Sequence, residues 1–504
     1  EDQAAAYGLD FSGFSTQSAF LDYDGDGDLD MFLLNHSVNH DGNYAPRANF
    51  LNTYDSLAGQ RLYRNDQRKD VKGNTIQRFT NVTKEAGING SKIGYGLGVV
   101  VADINLDGWA DIYVGNDFHE NDYFYINQKN GTFSEQGPDH LMHTSQFTMG
   151  VDVADINNDA YPEIISMDML PYDQYMLKRS MAEDDYNIFQ QKLQYGYTHQ
   201  YARNNLQYNR KNGYFSEVGQ YSGIHATDWS WASLWMDFDN DGLKDLFVSN
   251  GIPKRMNDID YINYVSGGEL QDKLANNTLQ DKDLALISKF PEIKLPNQFY
   301  RNKGSLQFNN ITDSIQNNLP TFSNGSVFAD LDNDGDLDVV VNNINDPVLV
   351  YENKTNNDTT AKNYVKLELE GDELNRNAIG AKLLIYTQEQ TQSFEQYPVR
   401  GFLSSMQLPL LAGLNNIQPD SALLIWPDRT FQSVKVTKGN TIKLKYVKGL
   451  PQFDFDQRLH QDNGITSLQD ITSSTGLQFL HEENVFNEFD REPLIPHMLS
   501  TEGP

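Results

Sequence analysis

Asp22-Tyr23-Asp24-Gly25-Asp26-Gly27-Asp28-Leu29-Asp30 is the stretch on which the fold turns, because it recurs along the chain. Its later copies are Asp103-Ile104-Asn105-Leu106-Asp107-Gly108-Trp109-Ala110-Asp111 and Asp155-Ile156-Asn157-Asn158-Asp159-Ala160-Tyr161-Pro162-Glu163. Two more are Asp237-Phe238-Asp239-Asn240-Asp241-Gly242-Leu243-Lys244-Asp245 and Asp330-Leu331-Asp332-Asn333-Asp334-Gly335-Asp336-Leu337-Asp338. Such self-similarity marks an array of like supersecondary units. The spacing has a chemical reason. Calcium is a hard cation that gathers about six to eight oxygens. Positions 1, 3 and 5 of each loop present Asp or Asn side chains from tightly curved backbone. Position 6 must turn sharply, which favours Gly. Position 7 can offer its main-chain carbonyl, so its side chain varies: Asp28, Trp109, Tyr161, Leu243, Asp336. Position 9 returns a carboxylate in every copy. The expectation is about five structural calcium sites, one per loop. Loop 3, with Ala160 at position 6, is expected to be the weakest, and Asn105 and Asn157 lower the charge of loops 2 and 3.

The flanks decide the frame. An EF-hand needs a helix on each side and a Glu at position 12. Here short apolar runs such as Val99-Val100-Val101 and Val339-Val340-Val341 bracket the loops, and these read as buried strands. A second unit follows four of the loops: an aromatic strand, a turn and another strand. Its copies are Arg61–Asn65 with Phe79–Thr83, Tyr123–Asn127 with Gly131–Phe133, Asn205–Asn209 with Gly213–Phe215, and Gln298–Asn302 with Phe308–Thr312. Two strands around the loop plus two after it make one propeller blade. Blade 2 is the most compact, at about 97–136, and insertions fall near 36–60, 169–203 and 251–296, the latter two partly helical.

The Asp-x-Asp-x-Asp-Gly-x-x-Asp loops between strands resemble FG-GAP/VCBS repeats, the calcium-binding blades of integrin α propellers. Asn377–Ala381, Gly401–Ser404, Leu411–Leu414 and Leu424–Asp428 are similar to the ASPIC/UnbV domain, which accompanies such propellers in cartilage acidic protein and in bacterial surface proteins. With Leu33–His36 and Asn250–Pro253, the order of motifs resembles large proteins of Bacteroidota. The resemblance implies an all-β chain: a calcium-binding propeller over 1–360, a small β-sandwich-like ASPIC/UnbV domain over 361–447 packed against the last blade, and a linker opening a second propeller over 448–504. It implies a seven-bladed ring with further blades upstream, the tail motifs Leu468–Thr472, His481–Asn484 and Leu494–His497 being the entry to the second propeller. It also implies a cell-surface location, lipid-anchored to an outer membrane, and an outer-membrane or extracellular protein partner of the SusC/SusD type.

Composition agrees. The chain of 504 residues carries 39 basic and 70 acidic residues, a net charge of −31. Such acidity repels nucleic acid and anionic lipid and suits cations, basic partners or neutral glycans. There is no cysteine, which removes disulfides, thiolate metal sites and cysteine nucleophiles. No apolar run is long enough for a transmembrane helix. Glu1-Asp2-Gln3 at the start and Gly503-Pro504 at the end suggest a segment of a longer protein.

Other candidates are weaker. Asn35, Asn116, Asp168, Asn250 and Asn343 end the strands after each loop and belong on the opposite face, with His36, Asp117, His119, Glu120, Lys254 and Arg255 nearby. They read either as a ligand-binding face or as ordinary strand terminators. His140 and His143 have metal-like spacing without a third ligand, and Glu183-Asp184-Asp185 reads as a solvated insertion surface. Trp229, Trp231 and Trp235 could stack on sugars, but their alternation favours core packing. Two functions stand open: a non-enzymatic calcium-stabilised surface binding module, or a calcium-dependent polysaccharide lyase or hydrolase using Lys254, Arg255 and Tyr261.

Overall fold

A computed structural model describes residues 2–38, 45–69, 75–181, 184–276, 278, 290–356, 363–387, 390–415, 417–458, 470–480, 482 and 488–491. It is built almost wholly of small antiparallel sheets. Blade 1 comprises Ser15–Leu21, Asp30–Asn35, Arg61–Lys69 and Thr75–Asn81. Blade 2 comprises Gly96–Ala102, Asp111–Asn116, Tyr123–Asn127 and Phe133–Glu135. Blade 3 uses Val151–Ala154, Glu163–Ser166, Asn205–Asn209 and Phe215–Glu217, and blade 4 uses Ser230–Met236, Asp245–Asn250, Gln298–Asn302 and Phe308–Asn310. Blade 5 has three strands, Ser323–Ala329, Asp338–Asn343 and Leu349–Tyr351. Its aromatic strand escaped the sequence pattern, because among the described residues no fourth strand pairs with it.

One register repeats. The residue before loop position 1 pairs with position 9: Leu21 with Asp30, Ala102 with Asp111, Ala154 with Glu163, Met236 with Asp245, Ala329 with Asp338. Each acidic loop is thus the turn from first to second strand. The strands are continuously apolar because both faces are covered. Val99, Val101, Ile112 and Val114 pack toward blade 1, while Val100, Ala102 and Tyr113 pack toward blade 3. Ile164 and Ile165 divide likewise between blades 2 and 4, and Leu246 and Phe247 between blades 3 and 5. Neighbouring sheets therefore share cores in chain order, and their first strands lie side by side.

The insertions follow the second strands, so they lie at the end of the blades opposite the acidic loops. They interlock there. The Arg47 N–H donates to Tyr195 O, Tyr197 Oη donates to Ala45 O, and the Met181 N–H donates to Asn257 O. Helices occur at Gln174–Arg179, Tyr186–Gln194 and Ile259–Val265, as expected of the latter two insertions. No helix among the described residues is long and apolar enough to cross a membrane.

The C-terminal region is a sandwich. One sheet orders Leu410–Gly413, Tyr364–Glu370 and Thr441–Lys445, with the last pair parallel. The other orders Thr391–Glu395, Lys382–Tyr386, Ser421–Ile425 and Phe431–Ser433. Val365, Leu383, Leu424 and Trp426 are buried between them. Two expectations are corrected here. The packed unit runs past 447, because Phe453 and Phe455 join Leu384 and Ile425 in a core. Nor does the sandwich lean on the last blade alone. It covers the acidic-loop end of the blades, and its hairpin Val399–Arg400/Ser404–Ser405 enters the axis of the fan. Val399 joins the core of blades 1 and 2, and the Gly401 N–H donates to Val151 O of blade 3 at 2.9 Å. Phe402 packs tilted against Trp231 of blade 4, with ring centroids 4.7 Å apart. Ser404 accepts from Gln17 Nε2 of blade 1 at 3.2 Å and lies against Gly325 of blade 5. The tail motifs at 468–497 fall mostly outside the described residues; at 470–480 a short helix, Thr472–Thr475, is exposed.

Candidate metal centres

Loops 2 to 4 share one hydrogen-bond scheme, in which the position 1 carboxylate accepts the N–H groups of positions 5 and 6: Asp103 from Asp107 and Gly108, Asp155 from Asp159 and Ala160, Asp237 from Asp241 and Gly242. Asp22 accepts from Gly25 and Gly27. Position 5 accepts the position 7 N–H in all five, through Asp26, Asp107, Asp159, Asp241 and Asp334. This winding needs left-handed backbone at position 6, where φ is 93° at Gly27, 84° at Gly108, 91° at Gly242 and 91° at Gly335. Ala160 adopts it too, at 75°. Position 4 is left-handed as well, at Gly25, Leu106, Asn158, Asn240 and Asn333, which explains its Asn content.

The donor set fits a hard cation. Asp22, Asp24 and Asp26 hold carboxylate oxygens within 4.8 Å of one another, as do Asp237, Asp239 and Asp245, and Asp330, Asp332 and Asp334. Asp24 Oδ1, Asp330 Oδ1 and Asp334 Oδ2 are buried and meet no hydrogen-bond donor. Burial, then the neighbouring carboxylates, pushes Asp237 up to about 8 and Asp22, chiefly by burial, up to about 6. Asp336 rises to about 7 by burial, with Asp334 beside it. Side-chain oxygens at positions 1, 3 and 5, with the position 7 carbonyl, would hold such an ion. In loops 2 and 3, Asn105 and Asn157 occupy position 3, leaving fewer carboxylates to converge.

Position 9 does more than the sequence revealed. Its carboxylate accepts the position 2 N–H, as Asp30 from Tyr23 and Asp245 from Phe238. It also accepts the N–H of an Asn on or just after the third strand: Asn65 to Asp30 at 2.8 Å, Asn127 to Asp111 at 2.9 Å, Asn302 to Asp245 at 2.7 Å, Asn353 to Asp338 at 2.7 Å. Burial drives Asp30 up to about 9, and Asp111, Glu163 and Asp245 well above the carboxyl range.

Those Asn residues also tie each blade to the one before it. Each Nδ2 donates to the position 8 carbonyl of its own loop and, from blade 2 onward, to the position 2 carbonyl of the preceding blade. Asn127 reaches Ala110 and Tyr23, and Asn209 reaches Pro162 and Ile104. Asn302 reaches Lys244 and Ile156, and Asn353 reaches Leu337 and Phe238. From blade 2 onward each Oδ1 then accepts the N–H two residues on, at Lys129, Lys211, Gly304 and Thr355, closing the turn.

The other candidates are absorbed by structure. Asn35, Asn116, Asp168 and Asn250 are fully buried. Asn35 donates to Gly59 O, Asn116 to Asn121 O, Asn250 to Pro296 O and Asn343 to Pro347 O, while Asp168 accepts from Ser145. They are strand terminators. Glu120 is buried against Arg47 at 2.8 Å, Arg255 pairs with buried Asp228, Lys254 pairs with Glu292, and Tyr261 stacks on Phe290. The residues offered for catalysis are thus separately engaged. His143 pairs with Glu217 at 3.1 Å, whereas His140 bonds Gly213 O. Trp229 and Trp235 are buried. Glu183 lies outside the described residues; Asp184 pairs with Lys192 and Asp185 caps the helix at Tyr186.

Comparison with known proteins agrees with the repeats. FG-GAP-like repeats match residues 103–166, 195–248 and 281–341, and the ASPIC and UnbV family matches residues 371–449. The chain therefore carries FG-GAP-like repeats followed by an ASPIC/UnbV domain. It is 38% identical over 81 residues to integrin alpha-6 of Gallus gallus, which is 14% of this chain and 8% of that protein. Among solved structures it is similar to a Photorhabdus luminescens Tc holotoxin pore, with a TM-score of 0.30 and 11% identity over 82% of this chain and 15% of that one. It is also similar to an Agrocybe aegerita lectin that recognises non-reducing terminal N-acetylglucosamine, with a TM-score of 0.29 and 15% identity over 68% and 81%.

Proposed function

We propose that this protein is a non-enzymatic binding or adhesion module whose blades are stiffened by calcium. One observation carries the calcium reading: buried carboxylate oxygens of Asp24, Asp330 and Asp334 aim at no donor in loops that bring three acids together. Unneutralised, these acids repel one another in a poorly solvated site. A divalent cation relieves this, so binding energy becomes folding energy. Extracellular calcium modules work at about 0.1–1 mM, which suits display at a cell surface. The insertion end, opposite the covered loops, is the docking face for a partner. We assign that partner to an extracellular or outer-membrane protein of the SusC/SusD type, or a glycan, with the chain held to the outer membrane by a lipid anchor. The exposed Tyr175, Met181 and Met256 of the interlocked insertions support that choice of face.

Calorimetric titration of the chelator-treated protein tests the calcium reading. The expected result is saturable binding of several calcium ions and a melting temperature that rises with calcium. Failure of calcium to bind or to stabilise would overturn it.

A further inference from the structure

The ASPIC/UnbV domain touches the same atom in consecutive loops. In loop 2, Lys382 Nζ lies 2.8 Å from Asp103 Oδ2. In loop 3, the Ser393 N–H donates to Asp155 Oδ2 at 3.0 Å. In loop 4, Gly413 packs so closely on Asp237 Oδ2 that a Cβ there would collide with it. In loop 5, Lys366 Nζ lies 3.0 Å from Asp330 Oδ2. In loops 2 to 4 this is the oxygen that also accepts the position 6 N–H. Further bonds lie beside each contact. Glu395 accepts the Asp103 N–H, the Thr391 N–H donates to Asn158 O, and the Asn415 N–H donates to Asn240 O. Lys382 also pairs with Glu395 at 2.9 Å, so its charge is balanced within the domain. The docking surface is therefore the first ligand of loops 2 to 5, held in loops 2 to 4 in the rotamer that the wound loop imposes.

We propose that the ASPIC/UnbV domain is a cation-dependent latch on the propeller, its docking and the divalent-cation occupancy of loops 2 to 5 being one linked equilibrium. The inference rests on the calcium reading above. Both events need the same aspartate rotamers, so each favours the other, and the coupling is reciprocal. The axial hairpin reports the state. With the domain docked, Val399 and Phe402 are buried among the first strands, and Arg400 is paired with Asp152 at 2.9 Å. With the latch released, the hairpin loses its seat among the first strands.

Hydrogen exchange of the full chain, with calcium and with a chelator, tests this beside a calcium titration. The latch predicts that chelation speeds exchange across 396–409 and exposes Arg400 to trypsin. Asp239→Ala in loop 4 should speed that exchange in calcium, whereas Asp24→Ala at the same position of loop 1 should leave it unchanged. Phe402→Asp, which unseats the hairpin far from any loop, should weaken calcium binding about 10-fold. If calcium binds but the hairpin exchanges equally with and without it, the latch is wrong and the calcium reading stands. If the wild type binds no calcium, both fall.

Discussion

Replacing Asn302 by Ala removes one hydrogen bond between blades and two within its own blade. Asn302 is 3% exposed. Its side chain donates to Ile156 O of blade 3 at 2.8 Å and to Lys244 O at 2.9 Å, and accepts from the Gly304 N–H at 2.9 Å. Its main-chain bond to Asp245 survives the substitution. A buried hydrogen bond contributes about 1 kcal/mol net, and an orphaned partner costs more. Three such bonds put the loss at about 3 kcal/mol. Asn65 is the control. Its Nδ2 reaches Leu29 O of its own loop at 3.2 Å, and among the described residues no bond to a preceding blade accompanies it. Asn65→Ala should cost about 1 kcal/mol. Urea midpoints followed by tryptophan fluorescence, in saturating calcium, give the comparison. The expected difference is about 2 kcal/mol, from the inter-blade bond and the turn bond that Asn65 lacks; if the two variants agree within about 0.5 kcal/mol, the bond from Asn302 to Ile156 does not hold blade to blade.

Acidity tests the crowded carboxyls. Burial raises Asp30 from 3.8 to about 9 and Asp237 to about 8, so the metal-free folded state holds protons that the unfolded chain has released. Stability of the metal-free protein should therefore fall as pH rises through that window. Its melting temperature should be higher at about pH 5 than at about pH 8, and saturating calcium should abolish or reverse the slope. A matched glycine pair tests the docked domain. Gly27 and Gly335 occupy position 6 at φ 93° and 91°, but a Cβ on Gly27 meets nothing, whereas one on Gly335 strikes Tyr364 of the ASPIC/UnbV domain. Gly27→Ala should cost about 1 kcal/mol, the backbone strain alone. Gly335→Ala should cost about 3 kcal/mol, because overpacking is added. Equal melting temperatures for the two would place Tyr364 elsewhere.

Much of the architecture was written locally. An Asp at positions 1 and 5, a turn-forming residue at position 6 and an acid at position 9 define a loop whose bonds close within about nine residues, so periodicity alone exposes it. The continuous apolar runs around it, such as Val99–Val101, already implied strands covered on both faces. The aromatic strand of blade 5 is not legible in the sequence because Leu349–Tyr351 is short and, among the described residues, has no partner hairpin. The strand-terminal amides were visible as a recurring Asn, but their second acceptor lies on another blade, as far as 146 residues away for Asn302 and Ile156.

Sequence by itself determined the all-β class, the repeated loops, the candidate ligands and the C-terminal domain, since each depends on residues close along the chain. Tertiary structure alone decided what those loops face. Lys382 and Asp103 are 279 residues apart, and Ser393 and Asp155 are 238 apart. Nothing in either segment's own pattern requires the other, because a lysine on a strand and an aspartate in a turn are each satisfied by water until packing removes it. The axial hairpin is the same case: Gly401 and Phe402 become buried only where five first strands meet around them.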